Sequence, residues 1–134
     1  MTATILYEGD LRCRATHLQS NSSFETDAPT DNRGKGEKFS PTDTLCVSLA
    51  TCMITTMGIK GQDMGVDLRN TGIEVTKHMK ADPRRVGKIE VVLNMQCTPA
   101  PDERTRMVLE ATGDNCPVIK SLHPDVEIVA TYNW

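Results

Sequence analysis

Two cysteines in different local settings carry the chemistry that this sequence offers. Cys52 lies in an apolar stretch that follows Pro41, and Cys116 opens a second motif, Cys116-Pro-Val-Ile-Lys-Ser-Leu122. A thiol on a buried helix and a second at a proline-marked helix start suit a two-cysteine redox cycle. In such a cycle one sulfur attacks an oxidant and the other resolves the product as a disulfide. The alternative is that both thiols fill a core, because free cysteine is among the most buried residue types.

A reactive Cys52 would have to be ionised, since the thiolate is the nucleophile. Cys52 lies roughly 16 Å from the positive end of a helix that starts at Pro41, and the helix dipole fades within a turn. Burial would raise the pKa of the thiol further. The sequence therefore predicts a cation supplied from elsewhere. The best candidates are Arg12 and Arg14, which flank Cys13 in a predicted strand. The alternative for either arginine is a solvated strand face.

Metal binding is the competing chemistry for the five cysteines and three histidines. No Cys-x2-Cys or His-x3-His pair is present, and Cys46 and Cys52 would point in directions about 240° apart on a helix. We therefore expect no metal and no cofactor. A cysteine hydrolase would require a histidine and an orienting carboxylate beside the nucleophile, which one sequence cannot place. We interpret Cys13, Cys46 and Cys97 as core residues.

Composition limits the class of protein. A chain of 134 residues predicts a single domain over residues 1–134, and the net charge of −3 argues against nucleic acid or anionic membrane as a partner. The first residues lack the basic and apolar regions of a signal peptide. No segment reaches the roughly 18 apolar residues of a spanning helix. An odd number of scattered cysteines does not resemble a secreted disulfide framework. We expect a cytoplasmic protein with reduced thiols.

The candidate cysteines depend on a long central helix with an explicit start signal. Ser40 can cap it, Pro41 fits its first position, and Asp43 completes a capping box. The helix is predicted over residues 41–59 and is apolar on all sides, which indicates burial on all sides. One chain of this size cannot cover such a helix, so we expect a homodimer.

Alternating patterns surround that helix. They predict three antiparallel strands before it, followed by a polar loop over residues 27–38. After it they predict strands over 73–79 and 86–95, a helix from 99 to 113, a short helix over 116–122 and a strand over 126–132. The order βββ-α-ββ-αα-β is typical of an α+β fold.

Taken together, the two motifs resemble those of the osmotically inducible protein C and organic hydroperoxide resistance (OsmC/Ohr) family. The match lies in Phe39-Ser-Pro-Thr-Asp-Thr-Leu-x4-Ala-Thr-Cys52-Met and in Cys116-Pro-Val-x-Lys-Ser-Leu122, and the resemblance covers essentially the whole chain. It implies a single OsmC-like domain over residues 1–134. It also implies an intertwined homodimer in which β-sheets from both chains enclose two long helices.

The resemblance further implies a thiol peroxidase, a peroxiredoxin-like organic hydroperoxide reductase of the oxidative stress response. Cys52 would attack the hydroperoxide and Cys116 would resolve it. A dithiol reductant, such as a lipoylated protein or dihydrolipoamide, would restore both thiols. An arginine of the N-terminal strands would assist, and Arg12 fits the family spacing better than Arg14. The alternative is a non-catalytic dimer of the same fold that binds a small molecule.

One position departs from the better-studied branches, which place a glutamate directly after the helix-start proline to pair with the arginine. Here that position is Thr42, and the nearest acid is Asp43. On one helix Asp43 would lie roughly 180° around and 13 Å along from Cys52. Asp43 is therefore expected only to orient an arginine or to act across the dimer.

Overall fold

The computed structural model describes all residues from 1 to 134. The helices and strands follow the predicted order: β1 (Ala3–Gly9), β2 (Arg12–His17), β3 (Ser23–Asp27), α1 (Pro41–Asp63), β4 (Gly72–Lys80), β5 (Arg85–Asn94), α2 (Glu103–Gly113), α3 (Pro117–Ser121) and β6 (Glu127–Asn133). The α+β prediction is confirmed. The chain forms two compact units, Met1–Leu45 and Cys46–Trp134, whose boundary falls within α1.

The first unit contains an antiparallel sheet in the order β1-β2-β3. Its register pairs Cys13 with Tyr7 and with Thr26. Because side chains alternate along a strand, Arg12 and Arg14 lie together on the opposite face, as predicted. The register of β2 therefore determines which side chains lie on each face of this sheet.

The face that carries Cys13 is apolar. Ile5 pairs with Ala15, and Ala15 pairs with Phe24, so these side chains share that face with Tyr7. In the single chain Ile5 is 66% exposed, and Tyr7 and Phe24 are exposed to a similar degree. This sheet therefore presents an uncovered apolar surface.

The segment before α1 differs from the predicted loop. Asp27 belongs to β3 rather than to the predicted loop, and a short 3-10 turn covers Thr30–Asn32. The helix start is as predicted. The Asp43 amide donates to Ser40 Oγ at 3.0 Å, and the Ser40 amide donates to Asp43 Oδ2 at 2.8 Å. These reciprocal hydrogen bonds are those of a capping box.

The predicted end of α1 at residue 59 was wrong, since the helix continues to Asp63. Gly61 lies within the helix, and the chain that follows packs closely against it. A Cβ at Gly61 would lie 3.1 Å from the carbonyl oxygen of Val66. The absence of a side chain at Gly61 therefore allows the backbone at Val66 to pack closely against α1.

The second unit contains the sheet β4-β5-β6, in which β4 and β5 are antiparallel and β5 and β6 parallel. Its core joins one face of α1 to the sheet and to both short helices, through Cys46, Leu49, Ala50, Met53, Met57, Leu68, Val86, Ile89, Val91, Leu93, Met95, Leu109 and Cys116. Within one chain α1 is buried along this face only. The prediction of burial on all sides is therefore not met by the single chain, in which Ile59 is 65% exposed.

The length and composition of α1 also match those of a membrane-spanning helix, with a mean hydropathy of 1.3 over 18 residues. The helix meets this criterion by its mean hydropathy, although Ser48, Thr51 and Lys60 interrupt its apolar residues, so the expectation of no run of 18 apolar residues still holds for it. The core helix of a soluble protein meets the same criterion, so this match alone is weak support for a membrane span.

Candidate functional site

The structure brings Cys52 and Cys116 together within the second unit. Cys52 lies in the middle of α1 and is partly exposed, whereas Cys116 caps α3 and is fully buried. Burial raises the pKa of the Cys116 thiol, and a hydrogen bond to Cys52 raises it further, while the Ile119 amide lowers it. The two thiols therefore interact with each other, and both are free.

Exposure distinguishes the two sulfurs chemically. A solute can reach Cys52 but not Cys116, whose side chain is enclosed by the core. Thr56 lies beside Cys52, with its Oγ1 3.9 Å from the Cys52 Sγ. The Thr56 hydroxyl donates to the Cys52 carbonyl oxygen at 2.6 Å, so its oxygen can accept from the thiol. The arrangement can support attack at Cys52 followed by closure to Cys116.

Arg12 in the first unit is held by two carboxylates. Its Nε donates to Asp27 Oδ1 at 2.7 Å and its Nη2 donates to Asp27 Oδ2 at 2.8 Å, a bidentate geometry. Nη2 also donates to Glu37 Oε2 at 2.8 Å. The Asp27 side chain is 1% exposed and that of Glu37 is 63% exposed. Asp27 is therefore the fixed partner and Glu37 the solvent-facing one.

The ion pair of Arg12 and Asp27 keeps both groups charged. The hydrogen bond to Asp27 is the main cause that raises the pKa of Arg12. The hydrogen bond from Arg12 is likewise the main cause that lowers the pKa of Asp27, with help from the amides of Glu37 and Lys38. These two amides also connect Asp27 to the segment that leads into α1. The two N–H bonds of Nη1 are the part of the guanidinium that these carboxylates do not use.

The predicted polar loop over residues 27–38 included Asp27, so the sequence did not identify Asp27 as the partner of Arg12. The available signal was the alternation of β3, which continues through Phe24-Glu-Thr-Asp27 and places Asp27 directly opposite Arg12. An acid at that register position is the expected cross-strand partner of an arginine.

Arg14 lies in a more open arrangement. Its Nε donates to Glu8 Oε1 at 2.7 Å and its Nη2 donates to Glu25 Oε1 at 2.6 Å. The hydrogen bond to Glu8 is the main cause that raises the pKa of Arg14. The Arg14 side chain is far more exposed than that of Arg12. The structure thus fits the solvated interpretation for Arg14 better than for Arg12.

The remaining candidate residues lie apart from this chemistry. Asp43 caps α1 through Ser40, and its supporting role toward an arginine stays a prediction. Cys46 is buried in the core as predicted, and Cys97 is partly buried against it, where burial raises the pKa of its thiol. Cys13 does not fill a core in the single chain, because it lies partly exposed on the uncovered sheet face.

Comparison with known proteins identifies relatives of this architecture. Residues 34–130 match the family model of OsmC-like proteins. A crystal structure from Psychrobacter arcticus, of a candidate osmotic stress induced and detoxification response protein, is 48% identical with a TM-score of 0.93. That match covers 98% of this chain and 95% of the other. No curated protein sequence matches the chain.

More distant structures share the fold. An OsmC-like protein from Mycoplasma pneumoniae has a TM-score of 0.78 at 15% identity, with 97% of this chain and 93% of that chain covered. The organic hydroperoxide resistance protein OhrB of Bacillus subtilis has a TM-score of 0.68 at 15% identity, with 98% of each chain covered. At these identities the similarity establishes the architecture alone.

Proposed function

Because this chain belongs to the OsmC-like protein family, we propose that it is a thiol-dependent peroxidase that reduces organic hydroperoxides to alcohols. The membership confirms the resemblance carried by the two cysteine motifs. The observation that carries the proposal is the contact between an accessible Cys52 and a buried Cys116. The names of fold relatives from Bacillus subtilis and Legionella pneumophila also refer to organic hydroperoxide resistance.

The proposed reaction uses the two sulfurs in sequence. The Cys52 thiolate attacks the terminal peroxide oxygen, the O–O bond breaks, and the departing alkoxide takes a proton to become the alcohol. Cys52 is then a sulfenic acid. The Cys116 sulfur attacks it, so that the S–O bond breaks and the S–S bond forms, while the Cys116 proton leaves with the hydroxide as water. A dithiol then returns two electrons and two protons to the disulfide.

Arg12 is our proposed source of the charge that ionises Cys52. The position of Cys52 in the middle of α1 excludes help from the dipole at the start of that helix. Arg12 is held in one orientation by Asp27, and its Nη1 is available for a ligand. A guanidinium held in this way is an oriented donor, whereas the exposed Arg14 is shared between Glu8 and Glu25.

Titration of the reduced protein with one equivalent of cumene hydroperoxide tests the proposed activity. We expect the loss of two thiols per chain, with alcohol formed in equal amount to the hydroperoxide consumed. Hydrogen peroxide, which offers no apolar group, serves as the comparison and is expected to react more slowly. If neither oxidant consumed thiols, peroxidase activity would be excluded and the small-molecule-binding dimer would take its place.

We also propose that the protein is a homodimer that works in the cytoplasm with a dithiol reductant, such as a lipoylated protein. Two apolar surfaces support the dimer, namely the sheet face with Ile5, Tyr7 and Phe24 and the open side of α1 at Ile59. Apolar side chains exposed over neighbouring strands are typical of a surface that a partner covers. A second copy of the chain is the partner that the family resemblance implies.

Denaturation at several protein concentrations tests the dimer. If folding and dimerisation are one event, the denaturant midpoint rises with protein concentration by mass action. Circular dichroism at concentrations that span a factor of about one hundred would show the shift. The apparent free energy of unfolding should change by about RT times the natural logarithm of that factor. A concentration-independent midpoint, together with a folded monomer of 14.8 kDa in dilute solution, would contradict the dimer.

A further inference from the structure

Tyr132 of β6 holds the chain segment that precedes Cys116. Its hydroxyl donates to Asp114 Oδ1 at 2.7 Å and lies 3.4 Å from the carbonyl oxygen of Glu110. Burial and the hydrogen bond to Asp114 both raise the pKa of Tyr132, whose ordinary value is already about 10. The hydroxyl therefore remains a hydrogen-bond donor at every physiological pH.

The contact falls at the turn between α2 and α3. Asp114 caps the end of α2, and two residues later the Cys116 amide donates to the Gly113 carbonyl oxygen at 3.2 Å. Gly113 lies under the Tyr132 hydroxyl and against α1. A Cβ at Gly113 would lie 2.8 Å from Tyr132 Oη and 2.9 Å from Met57 Sδ. The turn that carries Cys116 is thus tied to β6 and packed on the helix that carries Cys52.

Trp134, in the same C-terminal segment as Tyr132, also binds α2, at a point farther from Cys116. Trp134 Nε1 donates to Glu110 Oε1 at 2.6 Å, and the Arg106 guanidinium lies 5.8 Å from the centre of the Trp134 ring. Glu110 precedes Asp114 by four residues, which is about one helical turn. Trp134 therefore offers a control for Tyr132, because its hydrogen bond and its ring contact reach Glu110 and Arg106 of α2 rather than Asp114.

We propose that Tyr132 is a positioning residue for disulfide closure, which holds the Cys116 turn so that the buried sulfur stays directed at Cys52. This inference rests on the proposed two-cysteine peroxidase. Tyr132 transfers no proton in the step: the S–O bond of the Cys52 sulfenic acid breaks, the S–S bond forms, and the Cys116 proton leaves in water. The contribution of Tyr132 is to restrict the conformations of the attacking sulfur.

The test compares Tyr132→Phe, which loses the hydroxyl contacts with Asp114 and Glu110, with Trp134→Phe, which loses the indole hydrogen bond to Glu110. We expect Tyr132→Phe to consume the first equivalent of cumene hydroperoxide within about twofold of the wild-type rate. Closure of the disulfide should slow about tenfold, which corresponds to about 1.4 kcal/mol. Sulfenic acid at Cys52, trapped with dimedone and located by peptide mass spectrometry, should therefore accumulate. Trp134→Phe should close within about twofold of wild type.

A loss of fold alone would slow both steps together, so the ratio of the two rates separates positioning from stability. Asp114→Ala removes the acceptor and should reproduce the defect, whereas Asp114→Asn keeps an acceptor oxygen and should restore most of the closure rate. The inference is overturned if Tyr132→Phe closes at the wild-type rate. It is equally overturned if Trp134→Phe slows closure as much as Tyr132→Phe does.

A second route to the disulfide keeps this test independent of peroxide reactivity. An aromatic disulfide, 5,5′-dithiobis(2-nitrobenzoate), forms a mixed disulfide at the accessible Cys52, and Cys116 then displaces the aromatic thiolate. The lifetime of the mixed disulfide on the Cys52 peptide measures closure directly, and it should be about tenfold longer in Tyr132→Phe. If the wild type closed by this route yet consumed no hydroperoxide, the proposed peroxidase would fail while the role of Tyr132 would still be decided.

Discussion

Replacement of Cys52 by serine is expected to abolish hydroperoxide consumption, whereas replacement of Cys116 by serine should permit one turnover. The reason is the different exposure of the two residues, since Cys52 is partly exposed and Cys116 is buried, so that an oxidant is expected to react with Cys52 first. The measurement is hydroperoxide consumed per chain in the first turnover and at steady state with a dithiol. In Cys116→Ser the sulfenic acid at Cys52 should persist and be trapped by dimedone.

Cys97→Ala is the control for these cysteine variants. Cys97 is also a partly buried thiol beside the core, but it has no contact with Cys52 or Cys116 among its hydrogen bonds and charge interactions. The Cys97→Ala variant should therefore turn over hydroperoxide at a rate close to that of the wild type. Reversed behaviour, with Cys116→Ser blocked in the first turnover and Cys52→Ser active, would show that the two roles are exchanged.

Replacement of Arg12 by alanine is expected to raise the pKa of Cys52 and to slow its alkylation by iodoacetamide at neutral pH. An opposite charge within about 4–6 Å shifts a pKa by 1–3 units, so the rate should fall about tenfold or more. The measurement is the alkylation rate as a function of pH, read at the Cys52 peptide. Arg14→Ala is the control, since Arg14 is an exposed arginine of the same strand, and its effect should be much smaller.

The alanine variant also leaves the buried Asp27 carboxylate without its main partner, which is expected to destabilise the first unit. Arg12→Lys controls for this effect, because it keeps a cation beside Asp27 but loses the bidentate geometry. We expect Arg12→Lys to alkylate at an intermediate rate with a fold close to that of the wild type by circular dichroism. Wild-type alkylation rates in both Arg12 variants would refute Arg12 as the activating cation.

The sequence by itself determined the local structure of this protein. The signals were short-range: Ser40, Pro41 and Asp43 start α1, and alternation defines the strands and places Arg12 and Arg14 on one face. Each of these features depends on neighbours within a few residues, which one sequence contains in full. The two cysteine motifs also identified the family for the same reason, because each motif is a contiguous segment.

Tertiary structure decided which residues far apart in the sequence come into contact. The close approach of Val66 to Gly61 depends on how the chain folds back after α1, and no signal within the helix encodes that approach. The partner of Arg12 was settled by the strand register, which places Asp27 opposite it. The contact between Cys52 and Cys116, and the hold of Tyr132 on the turn before Cys116, join residues far apart in sequence. Such contacts form only when α1, α2 and β6 pack around one core, because packing geometry rather than local preference sets which side chains meet.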